Sequence, residues 1–253
     1  MLARFHGHLA AATDNGYHHG QFAQVLDKRN PYEEDVRLPL LIRPPAAFGG
    51  AGTTDSHLVN AVDLAPTILG LAGLTSDGMD GRSWLPLLDS RVETPQDWRS
   101  DTLIEYYGEA FGPCKSQASP ASATSESDRR WSADGVNPGV FTHPPLFTGQ
   151  GFSGYMVDET NNTWSCLRTL SPGNPLKPSE NSLFCQFWTT WDDANATSGA
   201  QPYFVEHYDV ASDPWQLNNS AAALGQQERS RLERRLGALR RCKGAAECSR
   251  PSG

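Results

Sequence analysis

The sequence lacks three features that would each indicate a class of protein. No apolar run approaches the roughly 20 residues of a membrane-spanning helix, so we expect no membrane span. The first residues, Met1 to His8, have no sustained apolar core, so we do not expect them to form a signal peptide. The formal net charge is −8, with 21 Lys and Arg against 29 Asp and Glu. Binding to nucleic acid needs clustered positive charge, so we expect no nucleic-acid partner.

Cysteine is scarce, and its spacing argues against zinc. The chain has five cysteines but no C-x2-C or H-x3-H pair to accompany them. Cys166 and Cys185 lie in two strand-like runs and can form a disulfide, and Cys242 and Cys248 can close a short loop. Cys114 is then left over. The alternative is that all five are reduced and structural.

Three N-x-[ST] sequons favour the secretory pathway. They lie in polar, turn-rich surroundings, at Asn161, Asn195 and Asn218. A single sequon is a common chance event, but three sequons and cysteines that can pair agree with one another. We therefore expect a glycoprotein.

The first hundred residues alternate between strand and helix patterns, which predicts an α/β region. Three apolar runs are predicted as strands, at residues 9–12, 38–42 and 58–62. The run 38–42 is expected to be buried. The run 9–12 makes a poor central strand, which suggests that the natural upstream segment was cut or replaced. A helix is predicted from Leu64 to Ala72, with Asp63 as its cap and Gly73 at its end.

Residues 111–151 are rich in Ser, Ala, Pro and Gly and predict a surface insertion or a disordered loop. Beyond them the pattern predicts a small antiparallel sheet packed against a helix. Its strand runs lie at residues 155–157, 164–169, 184–188 and 203–208, with a hairpin turn at Asn161-Asn162. Leu232, Leu236 and Leu239 give the final helix an apolar face.

The most informative segment follows the first apolar run. Asp14 and Asn15 precede Gly16, and Asn-Gly alone is a strong turn signal. A carboxylate beside a carboxamide also offers two oxygen ligands for a hard cation. Lys28, fourteen residues after Asp14, can return to the same place and bind an anion that the cation also binds. Without the surrounding motif, Lys28 would be interpreted as a solvated surface lysine.

Six segments in order make the chain resemble the type I sulfatases, and most of all the N-acetylglucosamine-6-sulfatases, with plant and algal arylsulfatases behind them. They are D-N-G-Y-H-x-G-Q-F-x5-K-R from Asp14 and the segments 32–43, 62–69, 79–88, 103–106 and 205–214. The resemblance implies the C-terminal part of an alkaline-phosphatase-like α/β fold for residues 1–100. It implies a small α+β subdomain, an antiparallel sheet with a helix, for residues 101–253.

The family motif C-x-P-S-R, whose cysteine becomes the formylglycine nucleophile, is absent from this sequence. The family's N-terminal aspartate pair is absent as well. The resemblance therefore implies the C-terminal half of a sulfatase, inactive alone, whose formylglycine and secretion signal belong to the other half.

The resemblance also implies roles for single residues. Asp14 and Asn15 would ligate calcium, Lys28 would contact the sulfate, and His18 and Arg29 would bind substrate, with Lys28 and His18 counted as catalytic. Calcium prefers roughly six to eight oxygen ligands, so this chain alone should bind it weakly.

Two neighbouring groups are assigned no role at the site. His19 fills a variable position of the family motif. Glu33, Glu34 and Asp35 are taken as helix-start or surface charges.

Three classes of function stay open. The first is sulfuric ester hydrolysis, in which a hydrated formylglycine attacks sulfur. Its expected substrates are sulfated sugars, namely N-acetylglucosamine 6-sulfate groups of glycosaminoglycans, in the lysosome or outside the cell. An arylsulfatase of broader specificity is the nearest alternative. The second class is a phosphoryl-transfer relative with a serine or threonine nucleophile, and the third is a non-catalytic fragment.

Overall fold

The computed structural model describes residues 2–5, 8–13, 15–24, 28–49, 52–108, 162–170, 180–189 and 200–250. They form two antiparallel sheets with short helices between them. The first hundred residues contain the helices α1 (Glu33–Val36), α2 (Leu64–Leu71) and α3 (Leu85–Leu88). None of the described helices is long and apolar enough to cross a membrane.

The N-terminal sheet contains the strands β1 (Leu2–Phe5), β2 (His8–Ala12) and β3 (Leu40–Arg43). They pair in the order β1-β2-β3, with Ala12 opposite Leu40. The strand predicted at residues 9–12 is confirmed, and the strand predicted at 38–42 is present as β3, although the prediction that it is buried is wrong. Leu40 and Ile42 are half-buried, but Leu41 is 71% exposed because successive side chains of a strand point to opposite faces.

The strand predicted at residues 58–62 is also wrong. The chain enters a 3-10 turn at Ala61–Asp63 instead. Oδ2 of Asp63 accepts the backbone N–H of Asn60 at 2.8 Å, which bends the chain. Nδ2 of Asn60 donates to Oγ1 of Thr102 at 2.8 Å, so the side chain of this residue is fixed by a distant strand. These contacts outweigh the local apolar pattern.

The predicted helix after this turn is present as α2. Gly73 has φ 71°, and its N–H donates to the carbonyl of Gly70 at 3.1 Å. The N–H of Leu74 donates to the carbonyl of Leu69 at 2.9 Å, which completes a Schellman motif. Gly73 therefore ends the helix as predicted. Asp63 precedes the helix, but its carboxylate does not cap it.

The C-terminal sheet contains the strands β4 (Asp101–Tyr106), β5 (Thr163–Leu170), β6 (Asn181–Trp188) and β7 (Phe204–Asp209). They pair antiparallel in the order β4-β5-β6-β7. The strands predicted near 164–169, 184–188 and 203–208 are confirmed. The predicted strand at 155–157, the predicted insertion at 111–151 and Asn161 of the hairpin turn lie outside the described residues.

Each face of the C-terminal sheet is covered. On one face, Leu167 and Phe184 pack against α4 (Gln226–Leu239). The apolar stripe of this helix is buried as predicted, and it consists of Leu232, Leu236 and Leu239. On the other face, the buried cluster contacts Tyr32 and Val36, which flank and end α1. The sheet therefore supports α1 and the polar segment that precedes it.

Both disulfides predicted from the sequence are present in the structure. Cys166 in β5 lies directly opposite Cys185 in β6, and both are fully buried. The bond between Cys242 and Cys248 closes the turn between α4 and a short last helix, α5 (Ala245–Cys248). Cys114 lies outside the described residues.

Removing the disulfide between the strands should cost more stability than removing the other. It closes a loop of 19 residues against 6, so we expect the double replacement Cys166→Ala, Cys185→Ala to lower the free energy of unfolding by about 3 kcal/mol. Urea denaturation measures this loss. Non-reducing peptide mapping after secretory expression should recover both bonds, and Cys114 linked to any of the other four would contradict the pairing.

A buried carboxyl group joins β7 to the segment before α1. Glu206 is almost fully buried, and the hydroxyl of Tyr32 donates to its Oε1 at 3.3 Å. Burial raises the pKa of Glu206, and hydrogen bonds from Tyr32 and Tyr208 offset part of this rise. Burial and the nearby Glu206 raise the pKa of Tyr32 to about 12. Burial in this cluster therefore favours the protonated form of Glu206 more than exposure to water would.

Stability should depend on pH through Glu206. Its folded-state pKa is raised above the reference value of 4.5, so its contribution is complete below that pH and is lost as pH rises through the folded pKa. We expect the free energy of unfolding of Glu206→Gln, minus that of the wild type, to increase with pH above 4.5. Urea titrations at several pH values measure this difference, and exposed Glu93→Gln is the matched control. A difference that does not change with pH would contradict the assignment.

Candidate functional site

The polar segment between β2 and α1 starts with Asn15-Gly16, which two local hydrogen bonds hold in place. Oδ1 of Asn15 accepts the N–H of Gly16 at 2.7 Å, and Oγ1 of Thr13 donates to the carbonyl of Asn15 at 2.8 Å. Asn15 is exposed. The carboxamide of Asn15 therefore lies at the surface. Asp14, the other predicted calcium ligand, lies outside the described residues.

Lys28 lies beside the Asn15-Gly16 segment. A Cβ atom placed on Gly16 would lie 3.5 Å from both Cε and Nζ of Lys28, so the ammonium group lies against the backbone of Gly16. Nζ also donates to the carbonyl of Glu34 at 2.6 Å. Lys28 is half-buried rather than a solvated surface lysine. The structure therefore brings Lys28 and the Asn15-Gly16 segment together, as the spacing predicted.

His18 is buried and tied to α1. Its Nε2 lies 2.5 Å from Oδ1 of Asp35, and neither side chain is more than 3% exposed. Oδ2 of Asp35 accepts the N–H of Asn30 at 2.8 Å. Asp35 thereby holds both halves of the loop, because His18 belongs to the first half and Asn30 to the second. His19, the variable position, is exposed.

For two of the three acidic residues at the start of α1, the prediction of surface charges is wrong. The helix does begin at Glu33, as expected. However, Asp35 is buried against His18, and Oε1 of Glu33 accepts a hydrogen bond from Nε of Arg168 at 2.7 Å. The side chain of Arg168 is 9% exposed, so this ion pair is largely screened from water. Both carboxylates hold α1 to its surroundings.

Arg29 follows Lys28 and is anchored through its backbone. Its carbonyl accepts hydrogen bonds from Nε1 of Trp164 at 3.1 Å and from Nδ2 of Asn162 at 3.3 Å. Trp164 is a buried residue of β5. The C-terminal sheet thereby fixes the position of the Lys28-Arg29 pair relative to the Asn15-Gly16 segment.

Sequence reasoning missed Gln216. It follows the Asp213-Pro214 segment, and its Oε1 accepts the N–H of Glu33 at 2.7 Å, the first amide of α1. Gln216 is buried and has φ 53°. A buried glutamine in a polar loop carries no periodic signal, so only the folded structure shows this contact.

Among the described residues, no group of three His, Cys, Asp or Glu is placed to hold a metal ion. Of the predicted calcium ligands, only Asn15 is described, and its carboxamide oxygen is a hard donor of the kind that calcium prefers. That oxygen accepts the N–H of Gly16 at 2.7 Å. The residue present is compatible with calcium, although it cannot hold the ion alone.

Comparison with known proteins relates most of the chain to sulfatases. Residues 19–117 match the family described as N-sulphoglucosamine sulphohydrolase, C-terminal. The chain is 35% identical to the N-acetylglucosamine-6-sulfatase of Capra hircus over 235 residues, which is 92% of this chain and 34% of that protein. The chain thus spans about a third of the length of these curated relatives, although the alignments cover most of this chain.

Solved structures share the fold. One is a protein in complex with its substrate D-glucosamine-2-N,6-O-disulfate, with a TM-score of 0.55, 23% identity, and coverage of 90% of this chain and 33% of that one. Another is the phosphonate monoester hydrolase of Agrobacterium radiobacter, with a TM-score of 0.53, 21% identity, and coverage of 90% and 34%. The fold is therefore that of the alkaline-phosphatase-like hydrolases, followed by the antiparallel sheet and helix of the sulfatase C-terminal subdomain. The chain belongs to the type I sulfatase family and matches its C-terminal part.

Proposed function

We propose that this chain is the C-terminal part of a sulfuric ester hydrolase that acts on sulfated sugars. One observation carries the proposal. The ammonium group of Lys28 lies against Gly16, beside the exposed carboxamide of Asn15, although the two segments are twelve residues apart. A cationic donor next to hard oxygen ligands is an arrangement that binds a sulfate group.

Lys28 supplies charge and hydrogen bonds at this position. An ammonium group has three N–H donors, and the carbonyl of Glu34 accepts one of them. The others can donate to sulfate oxygens. Negative charge develops on oxygen as the S–O bond breaks, and a cation already in place stabilises it without reorganisation. The half-buried setting of Lys28 strengthens this effect because water screens it less.

His18 and Arg29 are proposed as substrate contacts on the resemblance. Within the described residues, His18 has a second task. Its contact with Asp35 connects the loop to α1, and α1 provides the carbonyl that holds Lys28. Loss of His18 would therefore disturb the position of Lys28 even without direct contact to substrate.

Calcium is the proposed cation, with Asp14 and Asn15 as its ligands from this chain. When bound, it would polarise a sulfate oxygen and orient the group. The remaining ligands would come from the part of the sulfatase fold that contains C-x-P-S-R. We keep the expectation that the chain alone binds calcium weakly.

The proposed substrate is the N-acetylglucosamine 6-sulfate group of glycosaminoglycans. A relative named N-acetylglucosamine-6-sulfatase and a structural neighbour bound to a 6-O-sulfated glucosamine support this choice. A secretory location, lysosomal or extracellular, is proposed from the sequons and the two disulfides. Of the three sequon asparagines, Asn218 is described, and it is exposed as glycosylation requires.

The sulfate-binding role of Lys28 can be tested on this chain by calorimetric titration with N-acetylglucosamine 6-sulfate. We expect Lys28→Ala to weaken binding about tenfold or more, because a hydrogen bond to a charged group contributes roughly 1.5–3 kcal/mol. Exposed Lys243→Ala removes the same charge elsewhere and should bind as the wild type. Equal affinity of Lys28→Ala and wild type would contradict the proposal.

A further inference from the structure

Two exposed aromatic side chains meet beside the candidate site. The rings of Phe22 and Trp215 have centroids 6.0 Å apart and planes inclined at 47°. Phe22 is 51% exposed and Trp215 is 64% exposed. Large apolar side chains that come together at a surface from distant parts of the sequence mark a place where something binds. Neither ring has a role in the site described above.

Strained backbone holds both rings in place. Three described residues other than glycine have positive φ, and all three lie at this pair: Phe22 at 51°, Ala23 at 54° and Gln216 at 53°. A bulky residue rarely adopts this conformation, and such strain persists where the surrounding structure enforces it, commonly at ligand sites. Positive φ therefore occurs in both of the segments that carry the rings. This observation is independent of the exposure of the rings.

Hydrogen bonds make the two segments rigid. The carboxylate of Asp213 accepts the N–H groups of Leu217 and Asn218 at 3.1 and 2.9 Å, which closes the loop that carries Trp215. The N–H of Gln24 donates to the carbonyl of Gln21 at 3.1 Å, which closes the turn around Phe22. Rings held in this way lose little conformational entropy when they bind a ligand.

The pair is tied to Lys28 by short connections. Gln216, next to Trp215, accepts the N–H of Glu33, and the following residue, Glu34, accepts the hydrogen bond of Lys28. Phe22 lies in the same loop as Lys28, six residues earlier. The aromatic pair and the proposed sulfate-binding group are therefore fixed relative to each other through α1.

We propose that Phe22 and Trp215 form a platform that binds a pyranose ring of the glycan whose sulfate is held at Lys28. The C–H face of a pyranose is apolar, and burying it on aromatic rings is favourable while its hydroxyl groups stay in water. The proposal rests on the proposed function and extends it, because it adds a sugar-binding contact that does not use the sulfate.

The test uses this chain and two probes, the unsulfated dimer of N-acetylglucosamine and N-acetylglucosamine 6-sulfate, titrated by calorimetry. Trp215→Ala should weaken binding of the unsulfated dimer about tenfold, the scale of a ring stacked on an aromatic side chain. Trp215→Phe should retain most of the affinity. Leu217→Ala, at a neighbouring residue that is 67% exposed, should bind as the wild type. Unchanged thermal unfolding of each variant shows that the fold is intact.

The outcomes separate the two proposals. Lys28→Ala should leave binding of the unsulfated dimer unchanged and weaken only the sulfated probe. If Trp215→Ala and Phe22→Ala bind the dimer as the wild type does, the platform is wrong, whereas loss of the sulfated probe in Lys28→Ala would still support the sulfate site. If the wild type binds the dimer but not the sulfated probe, the sulfate site is wrong, and the proposal that the platform and Lys28 hold one glycan is overturned with it. Binding of neither probe overturns both.

Discussion

Sulfate-ester hydrolysis is expected only when this chain is joined to an N-terminal sulfatase half that contains C-x-P-S-R. In the proposed site Lys28 would position a sulfate and balance its charge, but no cysteine in the chain has the sequence context that yields formylglycine. A covalent nucleophile divides one difficult step into two easier ones, and its absence removes that pathway. The purified chain should therefore show no turnover of 4-methylumbelliferyl sulfate or N-acetylglucosamine 6-sulfate with calcium present.

In the joined protein, Lys28→Ala should reduce turnover by about 10²- to 10³-fold, the usual loss when one group that stabilises developing oxyanion charge is removed. Lys243→Ala is the matched control, and replacement of the motif cysteine by alanine is the negative control. Turnover by the chain alone that disappears in Lys28→Ala would contradict the expectation and imply a different nucleophile. A serine or threonine nucleophile encoded upstream of this chain, in place of the C-x-P-S-R cysteine, would instead support the phosphoryl-transfer alternative.

The parts of the fold that were predicted from sequence are those whose signals are local. The stripe of Leu232, Leu236 and Leu239 has helical spacing, and all three residues are buried in α4. Cys166 and Cys185 lie in neighbouring apolar runs, and these runs became paired strands. The pairing of β4 with β5 was not predicted, because the two strands are separated by more than fifty residues and no periodic pattern encodes such a contact.

The errors at residues 58–62 and at the start of α1 have one cause. In both places, a charged side chain makes contacts with residues far away in sequence. Asp63 binds Arg82 and Arg99, 19 and 36 residues later, where an apolar run suggested a strand. Asp35 is buried because it meets His18, seventeen residues earlier. Charge near a helix start is usually solvated, so the sequence alone favoured a surface position.

The resemblance predicted which residues form the candidate site. The contacts that hold these residues in place are visible only in the structure. The motif pointed to Asn15 and Lys28, and the structure places Lys28 against the adjacent Gly16. No motif pointed to Gln216 or to the ring of Trp215. Their positions depend on a backbone conformation with positive φ that these residue types do not indicate.

Loss of the Asp63 carboxylate is expected to be the most destabilising single replacement outside the apolar core. Asp63 is fully buried, and its Oδ1 accepts hydrogen bonds from the N–H of Arg82 at 2.8 Å and from Nη2 of Arg99 at 2.6 Å. Gly81 permits this approach, since a Cβ there would lie 2.0 Å from the carbonyl of Val62. One carboxylate thereby joins the start of α2, the loop before α3 and the residues before β4.

We expect Asp63→Ala to lower the free energy of unfolding by about 3–5 kcal/mol, measured by urea denaturation. The guanidinium of Arg99 is only 3% exposed, and breaking a buried ion pair leaves a charge without compensation. Asp63→Asn keeps one acceptor oxygen and should lose less, which keeps the prediction measurable if the alanine variant does not fold. Asp97→Ala is the matched control, because Asp97 pairs with Arg82 at the surface and should contribute little. A loss for Asp63→Ala no larger than that of the control would show that the buried carboxylate does not hold these three segments together.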